Sequence, residues 1–155
     1  MENQPNSQVC FICGRENEVG LQAQYYNDAV NQQVIAHITI PSRFNGWPGY
    51  AHGGIVAALL DEGSFRAIWI DGNFQRTMVT ANLNIRLQRP TPTEQPVKSV
   101  GWIIDMNESR ARVGSEIRLL DGTVTARGEA TLVRAPDSFI GAKDWEQLQT
   151  NWKVG

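Results

Sequence analysis

The apolar positions of this chain form one helical run and several strand-like runs. Between residues 55 and 70 apolar side chains are nearly continuous, and only a few polar residues interrupt them. A helix that is apolar over most of its circumference is a buried helix. Gly53-Gly54 precede this run, and Asp71-Gly72-Asn73 follow it with residues that tolerate the left-handed conformation at a helix end. The pattern predicts one long buried helix that begins at Gly53-Gly54 and ends near residue 70.

Strand-like runs account for most of the other apolar residues. In residues 77–88 apolar and polar positions alternate, which predicts that Thr80 and Asn82 lie on the same, polar face. The other runs cover residues 21–27, 33–40, 97–107, 110–120 and 123–134. Asp121-Gly122, between the last two runs, is a strong hairpin signal. We interpret the four runs after the helix as a meander, and the whole order predicts an α+β fold with the helix packed on an antiparallel sheet.

Length and composition are those of one globular domain. The chain has 155 residues, of which 41% are hydrophobic and 19% charged, so it has enough apolar material for one core. We assign residues 20–135 to the core, 1–19 to a cysteine-containing N-terminal segment, and 136–155 to a tail with a short helix at 145–152. The formal net charge is −2 with no block of like charge, which argues against a nucleic-acid partner.

No membrane segment is predicted. The longest apolar run is broken within about ten residues, whereas a helix that spans a bilayer needs roughly 20. Residues 1–8 are polar and lack the basic start and apolar centre of a secretory signal. These features predict a cytoplasmic protein without a membrane partner, in which the cysteines stay reduced.

The strongest chemical signal lies at the start of the predicted helix. Gly53 and Gly54 leave the first backbone N–H groups of the helix open to close approach by a ligand oxygen. These amides and the positive end of the helix dipole form a candidate oxyanion site for acyl transfer. The alternative is that the two glycines only mark a loop and that His52 before them is an ordinary loop histidine.

Asp61 is a second candidate on the same helix. It follows Gly54 by seven residues, so it lies on the same face roughly 10.5 Å further along the axis. Because one substrate carbonyl cannot touch both groups, we expect a twofold dimer in which an antiparallel copy of the helix supplies the second group. A carboxylate among apolar neighbours suits general-base activation of water or direct attack on a thioester. The alternative is that Asp61 and Glu62 form a solvated helix surface.

Three segments carry a family pattern. They are Cys10-Phe11-Ile12-Cys13-Gly14 with Asn17 and Gly20-Leu21; Pro48 through Glu62, which contains His52-Gly53-Gly54 and Leu59-Leu60-Asp61-Glu62; and the strand that begins at Thr80 and leads to Arg89-Pro90. In this order they resemble the hotdog-fold thioesterases of the phenylacetate-degradation type, a group that includes acyl-CoA hydrolases of animals. The resemblance covers residues 10–133.

The resemblance implies a fold, an assembly and catalytic roles. The fold is a hotdog, in which a curved antiparallel sheet wraps a long central helix. The assembly is a homodimer with shared active sites, and a dimer of dimers stays open. By the same resemblance, Asp61 is the catalytic carboxylate and the Gly54 N–H polarises the thioester carbonyl. His52 orients or binds that carbonyl, and Thr80 positions the attacking water beside Asp61.

Further residues are candidate substrate contacts: Gly53, Asn45, Glu62, Asn82 and Arg89. Some relatives place an asparagine six residues before the histidine, where this chain has Gly46, so Asn45 is the nearest substitute. Other hotdog branches use a glutamate as the catalytic acid. On a helix Glu62 points about 100° away from Asp61, so only one of them faces a dimer seam, and the spacing from His52 favours Asp61.

The remaining candidates are weaker. Arg43, Arg86 and Arg89 could bind the phosphates of coenzyme A through their guanidinium forks, or they are simply solvated. Phe65, Trp69 and Trp102 are candidates for lining the acyl pocket.

No metal site is predicted from the two cysteines. Cys10 and Cys13 have the spacing of half a zinc site, but a structural zinc has four ligands and no second pair follows. Redox chemistry is a further alternative. We expect a packed or surface segment.

The predicted function is hydrolysis of a fatty or aromatic acyl-CoA to the free acid and CoA. It needs no cofactor, because the coenzyme A is part of the substrate. One alternative is a non-catalytic acyl-CoA-binding or sensing protein, since a fold does not fix a function. Another is an enoyl-CoA hydratase or dehydratase on the same fold.

Overall fold

One α-helix and seven strands make up the described part of the chain. The computed structural model describes residues 1–136 and 138, so the helix predicted at 145–152 lies outside the described residues. In chain order the elements are β1 (Glu2–Asn3), β2 (Tyr26–Asp28), β3 (Gln33–Thr39), a short 3-10 helix (Ser42–Phe44), α1 (Gly53–Ala67), β4 (Met78–Leu87), β5 (Pro96–Met106), β6 (Arg110–Leu119) and β7 (Val124–Arg134).

The strands form one antiparallel sheet in the order β1-β2-β3-β5-β6-β7-β4. The sheet is curved, and α1 packs against the concave side of strands β3 to β7. The core lies between helix and sheet, and the helix contributes Val56, Leu59 and Leu60 to it. The predicted α+β architecture is confirmed. Among residues 1–136, no helix is long and apolar enough to cross a membrane.

The predicted four-stranded meander is wrong in one respect. Only β5, β6 and β7 follow one another in space, whereas β4 pairs with β7 at the far edge of the sheet. The Asp121-Gly122 turn lies in the tight β6–β7 connection, and Gly122 has the positive φ of +91° that such a turn requires. No such turn joins β4 to β5. Instead Arg89-Pro90-Thr91-Pro92 carries the chain across, and β5 pairs with β3.

The first predicted strand is shorter than expected because the N-terminal segment uses its backbone. Residues 21–25 lie outside β2. The Leu21 N–H donates to the carbonyl of Phe11 at 3.1 Å, and the Ala23 N–H donates to Ile12 at 2.8 Å. The carbonyl of Tyr25 accepts from the Gln4 N–H at 2.9 Å. The polar N-terminus is therefore packed against the core, and its strand β1 was not predicted.

The helix lies unusually close to the sheet at one point. A Cβ placed on Gly101 of β5 would be 2.0 Å from the carbonyl oxygen of Gly63 in α1. At the next residue, the Ser64 hydroxyl donates to the Ser115 hydroxyl of β6 at 3.1 Å. Backbone therefore rests on backbone in the middle of the helix, and this fixes the height of α1 above the sheet.

Arg66 fastens the N-terminal segment to the helix. Its side chain is fully buried. The guanidinium pairs with Glu62 at 2.8 Å and donates to the Pro5 carbonyl at 2.7 Å and to Asn6 Oδ1 at 3.2 Å. Gln4 Oε1 lies 3.4 Å from the same group. A buried charge needs this number of acceptors, because an unsatisfied one is very costly.

Candidate functional site

His52 caps the helix that carries the candidate site. Its Nδ1 accepts a hydrogen bond from the Gly54 N–H at 2.9 Å, and its backbone N–H donates to the Phe44 carbonyl at 2.8 Å. A neutral imidazole with an accepting Nδ1 carries its proton on Nε2. The exposed His52 ring therefore offers an Nε2–H donor at the start of α1.

The two glycines make room for this arrangement. A Cβ on Gly54 would lie 3.1 Å from His52 Nδ1, and a Cβ on Gly53 would lie 3.0 Å from Leu87 Cδ1 of β4. The space at the helix start that was predicted for a ligand oxygen is therefore occupied by the protein's own His52 ring. The Gly54 N–H, expected to polarise a carbonyl, is occupied by His52, so it meets a substrate oxygen only when the ring turns away.

Asp61 and Thr80 form a hydrogen-bonded pair. The Thr80 hydroxyl donates to Asp61 Oδ1 at 2.7 Å. Asp61 is half-buried on α1, and Thr80 is exposed on β4, the edge strand of the sheet. The pair lies where helix and edge strand meet, open to solvent. The structure thus brings together the predicted carboxylate and the predicted hydroxyl.

A β-bulge is what turns Thr80 toward Asp61. Thr80 pairs with Leu132 of β7 and Asn82 pairs with Thr131, so Ala81 is an extra residue in β4. A bulge inserts one residue and re-aims the side chains beside it. The prediction that Thr80 and Asn82 share a face is therefore wrong. Asn82 lies on the outer face, where its Oδ1 accepts from Asn84 Nδ2 at 3.0 Å.

Asn45 lies next to His52 in the loop before the helix. It forms an isolated bridge with Ala51, and a Cβ on the following Gly46 would lie 3.1 Å from His52 Cα. The Asn45 Oδ1 accepts from the Thr93 hydroxyl at 2.7 Å. The backbone of Asn45 is thus close to the site, while its side-chain amide oxygen accepts a hydrogen bond from the loop before β5.

Glu62 is not brought together with Asp61 and Thr80. Its carboxylate pairs with Arg66, and its Oε2 lies 4.0 Å from Cys10 Sγ. Glu62 is thus directed at the N-terminal segment and away from the Asp61–Thr80 pair.

The arginines and aromatic residues are spread over the molecule. Arg89 and Arg86 are exposed, and Arg43 donates to the Gly20 carbonyl at 3.2 Å. Trp69 is a core residue that packs on Phe65 with ring centroids 4.8 Å apart. The Trp102 ring covers Gly114, where a Cβ would lie 2.5 Å from the ring. Gly114 pairs with Glu129, which faces outward, so Trp102 lies on the side of the sheet away from α1.

A second cluster of reactive groups was missed by the sequence analysis. Cys10 Sγ, Cys13 Sγ and a Glu62 oxygen all lie within 4.8 Å of one another. A hydrogen bond from the Cys13 side chain lowers the pKa of Cys10 to about 7, and the same bond raises the pKa of Cys13. No spacing rule joins Cys13 to a residue 49 positions later, so only the fold reveals the third member.

A comparison with protein-family models matches the part of the chain that carries this site. A family model described as the thioesterase superfamily matches residues 48–126, the stretch that contains His52, Gly54, Asp61 and Thr80. A thioesterase superfamily protein from Shewanella loihica PV-4 is 30% identical over 76% of this chain and 92% of that one, with a TM-score of 0.59. No match was found among curated proteins.

Two further solved structures have a similar fold. A thioesterase superfamily protein is 27% identical with a TM-score of 0.72, and the alignment covers 80% of this chain but only 59% of that longer chain. The E. coli PaaI protein from the phenylacetic acid degradation operon is 14% identical over 68% of this chain and 74% of that one, with a TM-score of 0.59. These likenesses confirm the predicted hotdog fold.

Proposed function

We propose, from the premise that this chain belongs to the thioesterase superfamily, that it hydrolyses the thioester bond of an acyl-CoA to a free acid and CoA. The observation that carries the proposal is the 2.7 Å hydrogen bond from Thr80 to Asp61 at the open seam between α1 and β4. A carboxylate oriented by a hydroxyl is suited to hold and activate a water molecule. No separate cofactor is needed for this chemistry.

The reaction then follows from the groups of the site. Asp61 accepts a proton from water while the oxygen attacks the thioester carbonyl carbon. The negative charge that develops on the carbonyl oxygen is stabilised by donors at the start of α1. Collapse of the tetrahedral intermediate breaks the C–S bond, and CoA leaves as the thiolate and takes up a proton. Direct attack by Asp61 through an anhydride is the second route.

The hydrogen bond between Gly54 and His52 determines which donor meets the thioester carbonyl first. His52 Nε2–H is free to donate while Nδ1 is fixed by Gly54. We assign the first contact with the carbonyl oxygen to His52. The Gly54 N–H supports the ring and joins the oxyanion site when the ring moves. Gly53 and Asn45 shape this end of the pocket, and Arg89 and Asn82 are proposed contacts of the CoA portion.

A homodimer completes the site in this proposal. Gly54 and Asp61 are roughly 10.5 Å apart along one helix, too far for one carbonyl. The strand β4 beside them is a sheet edge that carries the exposed apolar residues Ile85 and Leu87. An apolar, unpaired edge strand favours pairing with a second copy. Antiparallel pairing of two copies supplies Asp61 from one subunit and the helix start from the other.

The test is release of free thiol from a panel of aliphatic and aromatic acyl-CoAs by wild type and Asp61→Asn. We expect the wild type to release CoA and Asp61→Asn to lose roughly 10²–10⁴-fold in kcat. Glu108→Gln, which neutralises an exposed carboxylate in the β5–β6 turn, is the matched control and should keep full activity.

Thermal unfolding with and without acyl-CoA is recorded on the same samples. Equal activity of Asp61→Asn and wild type would remove Asp61 from the proposed role. Stabilisation by acyl-CoA without thiol release would make the protein an acyl-CoA binder instead. Addition of water to an enoyl-CoA would assign it to the hydratases.

A further inference from the structure

We propose that Cys10, Cys13 and Glu62 form a binding site for a thiophilic divalent cation, with zinc as the best match. The three donor atoms come from two parts of the chain, the N-terminal segment and α1, and all lie within 4.8 Å of one another. This site is separate from the Asp61–Thr80 pair, and it does not depend on the proposed hydrolysis.

The donor set and spacing fit zinc. Two thiolates and one carboxylate are ordinary zinc ligands, and three protein ligands with a water in the fourth position form a known class of site. In a tetrahedral zinc site the ligand atoms are roughly 3.5–3.8 Å apart, which follows from the metal–ligand bond lengths. The Cys10 Sγ to Glu62 Oε2 distance is already 4.0 Å. The cluster has to close by roughly 1 Å.

The loop that holds the cysteines is shaped to present sulfur. The Ile12 N–H donates to Cys10 Sγ at 3.4 Å, and the Gly14 N–H donates to the Cys10 carbonyl at 2.8 Å. A Cβ on Gly14 would lie 2.3 Å from that carbonyl oxygen, so only glycine allows the turn. Backbone donors that point at a sulfur stabilise the thiolate, which is the form that binds metal.

The charges of the surroundings also balance. Two thiolates and a carboxylate carry three negative charges. A divalent cation and the fully buried guanidinium of Arg66, 2.8 Å from Glu62 Oε1, neutralise them. Arg66 takes one carboxylate oxygen and leaves Oε2 directed toward Cys10. Arg66 is thus placed as the partner that orients the third ligand, in the way that second-layer groups orient metal ligands.

A disulfide is the competing use of a Cys-x-x-Cys pair, and the structure favours the metal. A disulfide would not use Glu62 Oε2, which lies 4.0 Å from Cys10 Sγ, whereas a metal ion would bind it together with both sulfurs. Bound zinc would link the N-terminal segment to α1 at a residue next to Asp61. We therefore expect metal binding to stabilise the whole domain, because a ligand that binds only the folded state stabilises it.

The experiment titrates the reduced, chelator-treated full-length chain with Zn²⁺ in competition with a chromophoric chelator, and separately with Co²⁺. We expect one equivalent of metal per chain. The Co²⁺ form should show the thiolate-to-cobalt charge-transfer absorption and the visible bands of a tetrahedral site. Cys10→Ser and Cys13→Ser should each lose the charge-transfer band or weaken Zn²⁺ binding at least about tenfold. Glu18→Gln, an exposed carboxylate beside the loop, is the matched control and should bind like wild type.

Glu62→Gln should weaken Zn²⁺ binding by about tenfold or more. Because Glu62 also pairs with Arg66, this variant has to be checked for folding, and the wild-type Co²⁺ spectrum decides independently of it. Failure of the reduced wild type to bind either metal would overturn the proposal. So would a folded Glu62→Gln variant with wild-type affinity, or a Cys10–Cys13 disulfide that forms under mild oxidation in a protein that binds no metal. Thiol release from acyl-CoA plays no part in these measurements, so their failure leaves the proposed hydrolase unaffected.

Discussion

At the scale of single residues, the site depends on which way a few side chains are turned. Thr80 reaches Asp61 only because Ala81 is an extra residue in β4. His52 keeps its Nε2–H available because the Gly54 N–H holds Nδ1. Both features are local, and neither follows from alternation or from composition.

The first residue-scale prediction concerns the Thr80 hydroxyl. Thr80→Val should lower kcat by about 10- to 100-fold with little change in KM, because the carboxylate loses a charge-assisted hydrogen bond of roughly 1.5–3 kcal/mol. Thr80→Ser should recover most of the activity. Steady-state kinetics on one acyl-CoA check this, with Thr39→Val, at an exposed position of β3, as the control for loss of a surface hydroxyl. Wild-type activity of Thr80→Val, or a loss in Thr80→Ser without a loss in Thr80→Val, would show that the hydroxyl plays no part.

A second prediction concerns the buried cation. Arg66→Ala should destabilise the protein by about 3–5 kcal/mol, since it leaves Glu62 and three acceptors of the N-terminal segment without their donor. Urea unfolding measures the loss. Arg86→Ala removes an exposed arginine and should stay within about 0.5 kcal/mol of wild type. Comparable stability of the two variants would mean that the Arg66 network contributes nothing net.

At the scale of elements, α1 lies close to the sheet because glycines stand at the points of contact. Gly63, Gly101 and Gly128 let the helix approach closely, and a Cβ on Gly128 would lie 3.4 Å from Leu60 Cβ of α1. This approach sets where the two ends of α1 lie relative to β4. The position of Asp61 beside Thr80 therefore depends on residues with no chemistry of their own.

This gives an element-scale prediction. Gly101→Ala should destabilise the domain by at least about 3 kcal/mol or prevent folding, because the new methyl group meets backbone that cannot move aside. Gly122→Ala has open space around it and should cost only about 1–2 kcal/mol, for the positive φ of +91°. Thermal and urea unfolding compare the two. A Gly101→Ala variant as stable as Gly122→Ala would show that α1 can lift off the sheet.

The sequence predicted elements well and their connections less well. The apolar run of 55–70 and the alternation of 77–88 marked α1 and β4 to within a few residues. The pairing partner of β4 could not be predicted from the nearby sequence, because the polar loop with two prolines that follows β4 is compatible with several strand orders. The bulge at Ala81 interrupts a regular alternation of apolar and polar residues, and only the pairing of β4 with β7 reveals it.

At the scale of the whole molecule, the shared site is the feature to test. If His52 and Asp61 act from different subunits, His52→Ala and Asp61→Asn should each be nearly inactive alone. After mixing, unfolding and refolding together, about a quarter of wild-type activity should return, because half of the dimers are mixed and each has one intact site. Thiol release measures it.

The control for this experiment mixes each variant with itself. No return of activity in the mixture, with mixed dimers shown to form, would place His52 and Asp61 of one site in the same subunit. Dimer formation itself is checked by the dependence of sedimentation on protein concentration.

At this scale the sequence was sufficient to predict the family, but it did not predict every cluster of reactive groups. The three segments with the family pattern, among them Pro48 to Glu62, predicted the fold and the candidate carboxylate. The convergence of Cys10 and Cys13 on Glu62 could not be predicted, because it results from docking a polar N-terminal segment that looks featureless in composition. The same docking explains why residues 21–25 leave the sheet.

The burial of Arg66 also sets an order of assembly. Its acceptors come from Gln4, Pro5 and Asn6, about 60 positions earlier in the chain. Until these residues arrive, the guanidinium keeps its water and the end of α1 cannot be sealed. Residues 4–6 therefore complete the burial of a charge on a helix that follows about 60 positions later, so their docking is a late step in folding.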